Sequence, residues 1–163
     1  MQKDHVNTNI TLTANNSSAN AGARPAASGL TSVQLFKQSL DTFLAKDING
    51  WAALCDENVI VEFPFAPDVA SRKLLGRAAI YEYLKDYPSV IDIKSTPTLK
   101  INATEDPNMV IVEWSASGQV ISSGNPYEMS YATFVTFKDG LIVHYREYWN
   151  PMAFMAAMSG ERF

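Results

Sequence analysis

The sequence predicts an α+β domain in which three helices pack on a curved, mostly antiparallel sheet, with a short C-terminal helix. Amphipathic helical patterns dominate residues 31–87, whereas alternating strand patterns joined by short turns dominate residues 91–150. Short turns between consecutive strands favour an antiparallel meander. Helices can cover only one face of such a sheet, and a sheet that curls around them leaves a cone-shaped cavity.

The size and charge of the chain favour one domain and exclude several classes of partner. Its 163 residues are 47% hydrophobic and 18% charged, and its net charge of −4 comes without the clustered Lys and Arg that nucleic-acid binding requires. No apolar run approaches the roughly 20 residues of a membrane span, and no apolar segment typical of a secretory signal follows Lys3. We therefore expect a cytoplasmic protein that binds neither nucleic acid nor membrane.

The N-terminal region differs in composition from the rest of the chain. Residues 1–29 are rich in Asn, Thr, Ser, Ala and Gly and contain no aromatic residue. Such a segment cannot bury enough surface to offset the entropy of ordering it. We expect a disordered tail at residues 1–29 and a folded domain at residues 30–163.

Three helical patterns come early in the predicted domain. Thr31 and Gln34 have the spacing of a capping box at the start of the first helix, which we expect to end near residues 46–47. A shorter helical pattern covers residues 48–56, and a third helix follows Gly76.

The strand patterns account for most of the remaining chain. Strands are predicted at residues 59–63, 93–102, 109–121, 127–137 and 141–150. Asn150 and Pro151 then supply an N-cap and a first-turn proline for a short methionine-rich helix that ends at Gly160.

A single acid interrupts the apolar face of the last predicted strand. Alternation places Glu147 on the interior face with Tyr145 and Trp149, and places residues such as Ile142 and His144 on the opposite face. Burying an unpaired ionised group costs several kcal/mol. The pattern therefore indicates either a cavity beside the acid or a partner that neutralises it.

Two interpretations of Glu147 follow. In the functional interpretation, desolvation raises its pKa and suits it to proton transfer near neutral pH. In the structural interpretation, Arg72 or Arg77 neutralises the carboxylate in a static ion pair.

Several strand and helix residues are predicted to line the same cavity. They are Phe63, Tyr83, Tyr87, Trp114, Tyr131, Thr133, Tyr145 and Trp149. The hydroxyls of Tyr83, Tyr87 and Thr133 would bind polar groups, and the aromatic side chains of the set would pack against rings. The alternative for each residue is ordinary core packing.

The residue types that hold cofactors are scarce. Two histidines and one cysteine cannot assemble a zinc or iron site, and the lone Cys55 excludes an internal disulfide framework. No phosphate-binding loop, nucleophile elbow or dinucleotide motif is present. Any enzymatic activity is therefore expected to be proton transfer without a cofactor.

Four short segments carry a family resemblance. The order of elements, with AKDINGW at 45–51 leading to VIVEFP at 59–64, resembles the SnoaL-like and ketosteroid-isomerase-like members of the nuclear transport factor superfamily over residues 31–160. TEDPN at 104–108 and REYWNP at 146–151 are most similar to the phenazine-biosynthesis proteins PhzA and PhzB. The resemblance implies a cone-shaped homodimer with a deep hydrophobic pocket.

The resemblance also implies roles for particular positions. Glu147 matches the acid/base glutamate of the phenazine proteins. The three catalytic positions of ketosteroid isomerase fall at or near Phe63, Ser39 and Thr133, none of which has the required side chain, so isomerisation by that machinery is not expected.

The leading hypothesis is a cofactor-independent enzyme of secondary metabolism, similar to isomerases and polyketide cyclases. Glu147 would move a proton during isomerisation, cyclisation, dehydration or condensation of a small apolar or aromatic carbonyl compound. The alternative is a non-catalytic ligand-binding or dimerisation protein of the same fold. In either case we expect a homodimer formed through the outer sheet face.

Overall fold

A computed structural model describes residues 29–160. The disordered tail predicted at residues 1–29 lies, except for its last residue, outside the described residues. The α+β architecture is confirmed, with several helices against a curved, mostly antiparallel sheet and a short helix at the C-terminal end. Within the described range, no helix is long and apolar enough to cross a membrane.

The elements follow one another in the predicted order, with several additions. The helices are α1 Ser32–Leu44, α2 Ile48–Ala53, α3 Arg77–Leu84, α4 Tyr87–Val90 and α5 Pro151–Ser159, and a 3-10 turn spans Val69–Arg72. The strands are β1 Cys55–Glu62, β2 Lys73–Leu75, β3 Ile91–Ser95, β4 Leu99–Ala103, β5 Met109–Val120, β6 Pro126–Lys138 and β7 Leu141–Trp149.

One seven-stranded sheet holds the fold together. Its order is β2-β1-β7-β6-β5-β3, and β4 also pairs with β5. Every pairing is antiparallel except that of β1 with β7, which is parallel. The helices cover the inner face, where apolar residues from both layers form one core cluster.

The helix ends follow the predicted capping chemistry. The Thr31 hydroxyl accepts a hydrogen bond from the Gln34 backbone, and the Gln34 side chain accepts one from the Thr31 backbone, which completes the capping box. Asn150 caps α5, whose C-cap Gly160 has a left-handed φ of 78°. The first helix ends at Leu44, slightly before its predicted end.

The strand predicted at residues 93–102 is wrong as a single element. It is divided into β3 and β4, which pair with opposite ends of β5. Pro97 lies between them, and proline has no N–H to donate to a continuing ladder. The pairing of β1 with β2 and the one-turn helix α4 were also not predicted.

Alternation also failed at the start of β7. Ile142 was predicted on the outer face, but it is 1% exposed and belongs to the core. The register with β6 shifts between Phe137–Ile142 and Thr136–His144, which adds one residue to β7. A bulge of this kind reverses the alternation on one side of it.

The sheet face opposite the helices carries a cluster of polar side chains on β1 and β7. Glu62 accepts a hydrogen bond from Arg146 at 2.9 Å and lies 2.7 Å from the His144 ring nitrogen Nε2. A homodimer through this face stays a prediction.

Gly118 on β5 provides a test of the sheet register. A Cβ at this position would overlap the backbone carbonyl of Asp92 on β3, which cannot move as a flexible side chain could. Gly118→Ala should lower the free energy of unfolding by about 1–3 kcal/mol, the range for overpacked positions. Urea unfolding followed by circular dichroism would measure the change. Gly29→Ala is the matched control, since nothing lies within 4 Å of its added Cβ, and equal stabilities of the two variants would contradict the close approach.

Candidate active site

Glu147 lies on the wall of a cavity between the helices and the inner sheet face. The cavity has a volume of about 500 Å³ and is lined by residues of all five helices, of strands β3, β5, β6 and β7, and of residues 63–71. Glu147 itself is 8% exposed. Its place near the end of β7, opposite Thr133 on β6, sets the carboxyl at the inner sheet face.

Two hydroxyl groups hold the carboxyl of Glu147. Tyr145 donates a hydrogen bond of 2.6 Å to Oε2, and Thr133 donates one of 2.9 Å to the same oxygen. The indole N–H of Trp114 donates at 3.1 Å to the Thr133 hydroxyl. A series of side-chain hydrogen bonds thus runs from Trp114 on β5 through Thr133 on β6 to Oε2 of Glu147 on β7.

The second oxygen of Glu147 has a different environment. Tyr145 and Thr133 both donate to Oε2, and neither donates to Oε1. Because Glu147 lines the cavity, Oε1 is the carboxyl oxygen that these two hydroxyls leave for a ligand.

Burial raises the pKa of Glu147 above its ordinary value, because the ionised form loses its hydration. Hydrogen bonds from Tyr145 and Thr133, together with the nearby Trp114 indole, partly offset this rise because they stabilise the charged form. The pKa of Glu147 is therefore set by burial and by hydrogen bonding with these three polar neighbours, and no cation among the described residues contributes to it.

The alternative interpretation, an ion pair of Glu147 with Arg72 or Arg77, is wrong. Arg72 donates through Nε to the Ala66 carbonyl, and Arg77 donates through Nε and a terminal nitrogen to the Cys55 carbonyl. Backbone carbonyls thus engage both guanidinium groups, and Glu147 has neither as a partner.

Seven of the eight predicted ligand-binding residues line the cavity with Glu147. They are Phe63, Tyr83, Tyr87, Trp114, Tyr131, Tyr145 and Trp149. Tyr83 is 40% exposed and stacks on Phe63 with ring centroids 5.1 Å apart, so it lies at the mouth of the cavity and the alternative of ordinary core packing does not describe it.

Thr133 departs from its predicted place on the wall. It is fully buried and lies outside the set of lining residues. Its hydroxyl is engaged with Trp114 and Glu147, so it positions the acid and has no free group for a ligand.

Sequence reasoning missed several polar residues of the cavity. Tyr127 lines it, and its hydroxyl lies 2.7 Å from that of Tyr131. Alternation along β6 could have found Tyr127, which shares a face with Tyr131. Asp68 and Asp86 also line the cavity, but they lie between regular elements, where no pattern predicts position. Over residues 29–160, no group of three or more His, Cys, Asp or Glu side chains is placed to hold a metal ion.

A family model described as a SnoaL-like domain matches residues 36–145 of the chain. The chain belongs to the SnoaL-like family. The match ends just before Glu147, so the family assignment does not rest on the candidate acid. The resemblance predicted from the sequence is confirmed.

Individual relatives agree with this assignment. The SnoaL-like chain is 43% identical over 117 residues to the uncharacterised protein YesE of Bacillus subtilis, covering 72% of this chain and 80% of YesE. It is 29% identical over 114 residues to PA3332, an uncharacterised PhzA/B-like protein of Pseudomonas aeruginosa, covering 70% and 80% of the two chains. A crystal structure of a Bacillus subtilis protein provisionally named an isomerase superposes with a TM-score of 0.74 at 39% identity, covering 81% of this chain and 94% of that one.

The raised pKa of Glu147 has a consequence for stability. A carboxyl whose pKa is raised on folding binds its proton more tightly in the folded state, so folded-state stability falls as pH rises past the ordinary value of 4.5 and through the raised pKa. Glu147→Gln removes this charge. It should therefore melt at a higher temperature than the unmodified protein at about pH 8, with the difference shrinking toward about pH 4.

Calorimetry at several pH values would measure this difference, at roughly 2–4 °C per kcal/mol for a chain of this size. Glu128→Gln, on the exposed face of β6, is the control. A melting temperature of Glu147→Gln at or below that of the unmodified protein at about pH 8 would contradict a costly buried carboxylate.

Proposed function

We propose that this SnoaL-like protein is a cofactor-independent enzyme that uses Glu147 to transfer a proton at a carbon next to a carbonyl group. The observation that carries the proposal is the asymmetry of the carboxyl. Two hydroxyls orient it through Oε2 and neither engages Oε1, on a residue that lines the cavity. A general base needs this combination of fixed orientation and a free oxygen.

The environment of the carboxyl strengthens it as a proton acceptor. Burial without a cation raises the pKa of Glu147 and so strengthens it as a base, whereas an ion pair would have weakened it. The donors Tyr145 and Thr133 still allow the ionised form to exist. Efficient acid–base catalysis requires a pKa near the working pH.

The proton transfer itself can be written in one step. Oε1 takes the α-proton, the electrons of the C–H bond form a carbon–carbon double bond, and the carbonyl oxygen becomes the enolate oxygen. Return of the proton from Glu147 to a different carbon of a conjugated enolate completes an isomerisation. Attack of the enolate carbon on a second carbonyl forms a carbon–carbon bond and an alkoxide that takes the proton from Glu147, which gives a cyclisation or condensation. Departure of a β-hydroxyl as water, with that same proton, gives a dehydration.

The rest of the cavity favours an apolar or aromatic substrate. Phe63, Trp114 and Trp149 present rings to it, and the volume of about 500 Å³ is within the range of small-molecule sites. The names of two relatives, one provisionally an isomerase and the other PhzA/B-like, support an enzymatic role and leave the substrate open. A role in secondary metabolism is part of the proposal.

A non-catalytic ligand-binding protein is the second candidate. It is favoured by the lining of the cavity, which includes no Lys, Arg or His to stabilise an enolate charge. Proton exchange discriminates the two candidates, because a binding protein has no reason to accelerate it.

Glu147→Gln should abolish proton exchange at a model ketone. In D₂O, the unmodified protein should accelerate deuterium incorporation into the acetyl group of 2-acetylnaphthalene, because the proton taken by Glu147 exchanges with solvent before return. The variant should lower the protein-dependent rate by about 10²–10⁴-fold. Proton NMR of the acetyl signal would follow the reaction.

The control for this experiment is Glu128→Gln, an acid of the same strand pair on the exposed face. It should exchange at the unmodified rate. Equal rates for Glu147→Gln and the unmodified protein would contradict the proposed role, and no acceleration by the unmodified protein would favour the binding candidate.

The same exchange should depend on pH in one direction. A base acts when deprotonated, so the protein-dependent rate should rise with pH through the pKa of Glu147, and the inflection should lie above the ordinary 4.5. Rates measured across the range, after subtraction of exchange without protein, would show it. An inflection at or below 4.5 would assign the exchange to another group.

A further inference from the structure

Trp114 can orient Glu147 through a residue that lies between them. Its indole N–H donates at 3.1 Å to the hydroxyl oxygen of Thr133, and that hydroxyl donates at 2.9 Å to Oε2 of Glu147. An indole N–H can only donate, whereas a hydroxyl has one hydrogen and two acceptor lone pairs. Because Thr133 accepts from Trp114, its single hydrogen is left for the carboxyl.

Packing leaves both members of this series little freedom. The Trp114 ring stacks on that of Tyr131, with ring centroids 4.1 Å apart and planes at 13°, and Trp114 is 5% exposed. Thr133 is fully buried. The direction of the Thr133 hydroxyl is therefore set by the indole and not by solvent.

The direction of these hydrogen bonds also decides which carboxyl oxygen can hold a proton. Thr133 and Tyr145 both point their hydroxyl hydrogens at Oε2 of Glu147. A proton on Oε2 would face two donor hydrogens, so protonation falls to Oε1. A Thr133 hydroxyl that rotated away from the carboxyl would remove one of these two restraints.

We propose that Trp114 is a positioning residue that acts through the Thr133 hydroxyl and keeps Oε1 of Glu147 as the oxygen that takes and returns a proton. The part of this assignment that concerns proton transfer to a substrate rests on the proposed function. The orientation of the carboxyl by Trp114 and Thr133 rests on the side-chain geometry alone.

Positioning by Trp114 and simple packing by Trp114 have opposite effects on Glu147. The hydrogen bond from Thr133 lowers the pKa of Glu147, because it stabilises the ionised form. A donating indole polarises the Thr133 hydroxyl and strengthens that bond, so loss of the indole N–H should raise the pKa. If Trp114 only filled space, a smaller ring would admit water beside the carboxyl and lower the pKa.

The titratable groups that interact with Glu147 are tyrosines from four elements, and burial raises the pKa of each. They are Tyr83 on α3, Tyr87 on α4, Tyr127 and Tyr131 on β6, and Tyr145 on β7. All of them stay neutral while a carboxyl titrates. Asp68 and Asp86 also line the cavity, and every variant used below retains them.

Carbon-13 NMR of the side-chain carboxyl carbons of the full chain would measure the titration midpoint of Glu147, whose signal is the one lost in Glu147→Gln. Trp114→Phe should raise this midpoint by about 0.5–1 pH units, and Thr133→Val should raise it by about 1, which corresponds to one net hydrogen bond. Where the proposed function holds, the inflection of the deuterium-exchange profile should rise by the same amount.

Two control variants separate the hydrogen bond from other changes. Thr133→Ser keeps the hydroxyl and should stay close to the unmodified midpoint. Trp149→Phe removes another indole from the cavity lining, and Trp149 is not among the groups that set the pKa of Glu147, so this variant should give no rise. Circular dichroism would verify that each variant is folded.

A double variant tests whether Trp114 acts through Thr133. The indole also stabilises the Glu147 carboxylate directly, but it contributes least of the three polar neighbours. Trp114→Phe combined with Thr133→Val should raise the midpoint by less than the sum of the two single changes, because both act along one series of hydrogen bonds. Midpoint changes that add fully would show that the two residues act independently.

The Trp114 indole itself offers a measurement that needs no change at residue 114. Ionisation of Glu147 should strengthen the whole series of hydrogen bonds, so the nitrogen-15 NMR signal of this indole should shift with pH at the Glu147 midpoint. Thr133→Val should abolish the shift. The chain has three tryptophans, and the signal of Trp114 is the one that neither Trp51→Phe nor Trp149→Phe removes.

Several results would overturn the positioning role. They are an unchanged or lower midpoint in folded Trp114→Phe, an equal rise in Trp149→Phe, full additivity in the double variant, and a Trp114 indole signal that does not follow the Glu147 midpoint or still follows it in folded Thr133→Val.

Failure of the proposed function is distinguishable, because none of these NMR measurements requires turnover. Midpoints that move as expected, together with proton exchange that is indifferent to Glu147→Gln, would overturn only the proton-transfer role. Exchange that is lost in Glu147→Gln, together with an unchanged midpoint in Trp114→Phe, would overturn only the role of Trp114.

Discussion

The candidate site is organised around one buried carboxyl that is oriented by hydroxyl groups and has no cationic partner among the described residues. Tyr145 and Thr133 both donate to Oε2 of Glu147, and this leaves Oε1 to the cavity. A cation at the same place would lower the pKa of the acid and block its free oxygen. The strands supply orientation without charge, so the fold sustains a carboxyl that is both fixed in direction and basic.

The sheet register makes that arrangement possible. Thr133 is opposite Glu147 on adjacent strands, and the Trp114 indole on the next strand donates to the Thr133 hydroxyl. Loss of any member would leave a buried polar group without its partner, at a cost of about 1–3 kcal/mol. The same β6 strand continues past Thr133 to Tyr131 and Tyr127, so one strand carries both polar groups of the cavity.

Local patterns predicted the parts of the molecule that depend on near neighbours. The capping box at Thr31, the N-cap at Asn150 and the alternation that turns Glu147 inward all depend on residues a few positions apart, and all are present. The errors have two causes. Pro97 divides the predicted strand because proline cannot donate to a continuing ladder, and that signal is local. The burial of Ile142 depends on how β7 registers with β6, which no single segment encodes.

The sequence by itself determined the α+β class, the family resemblance and the acid that interrupts an apolar strand, because these follow from spacing and residue type. Only the tertiary structure decided what surrounds that acid. It showed that Arg72 donates to a backbone carbonyl and that Thr133 donates to the Glu147 carboxyl. It also showed that the hydroxyls of Tyr127 and Tyr131 form a hydrogen bond at the cavity wall. Contacts between side chains that are far apart in the chain depend on strand register and helix packing. They can therefore be identified only from the tertiary structure.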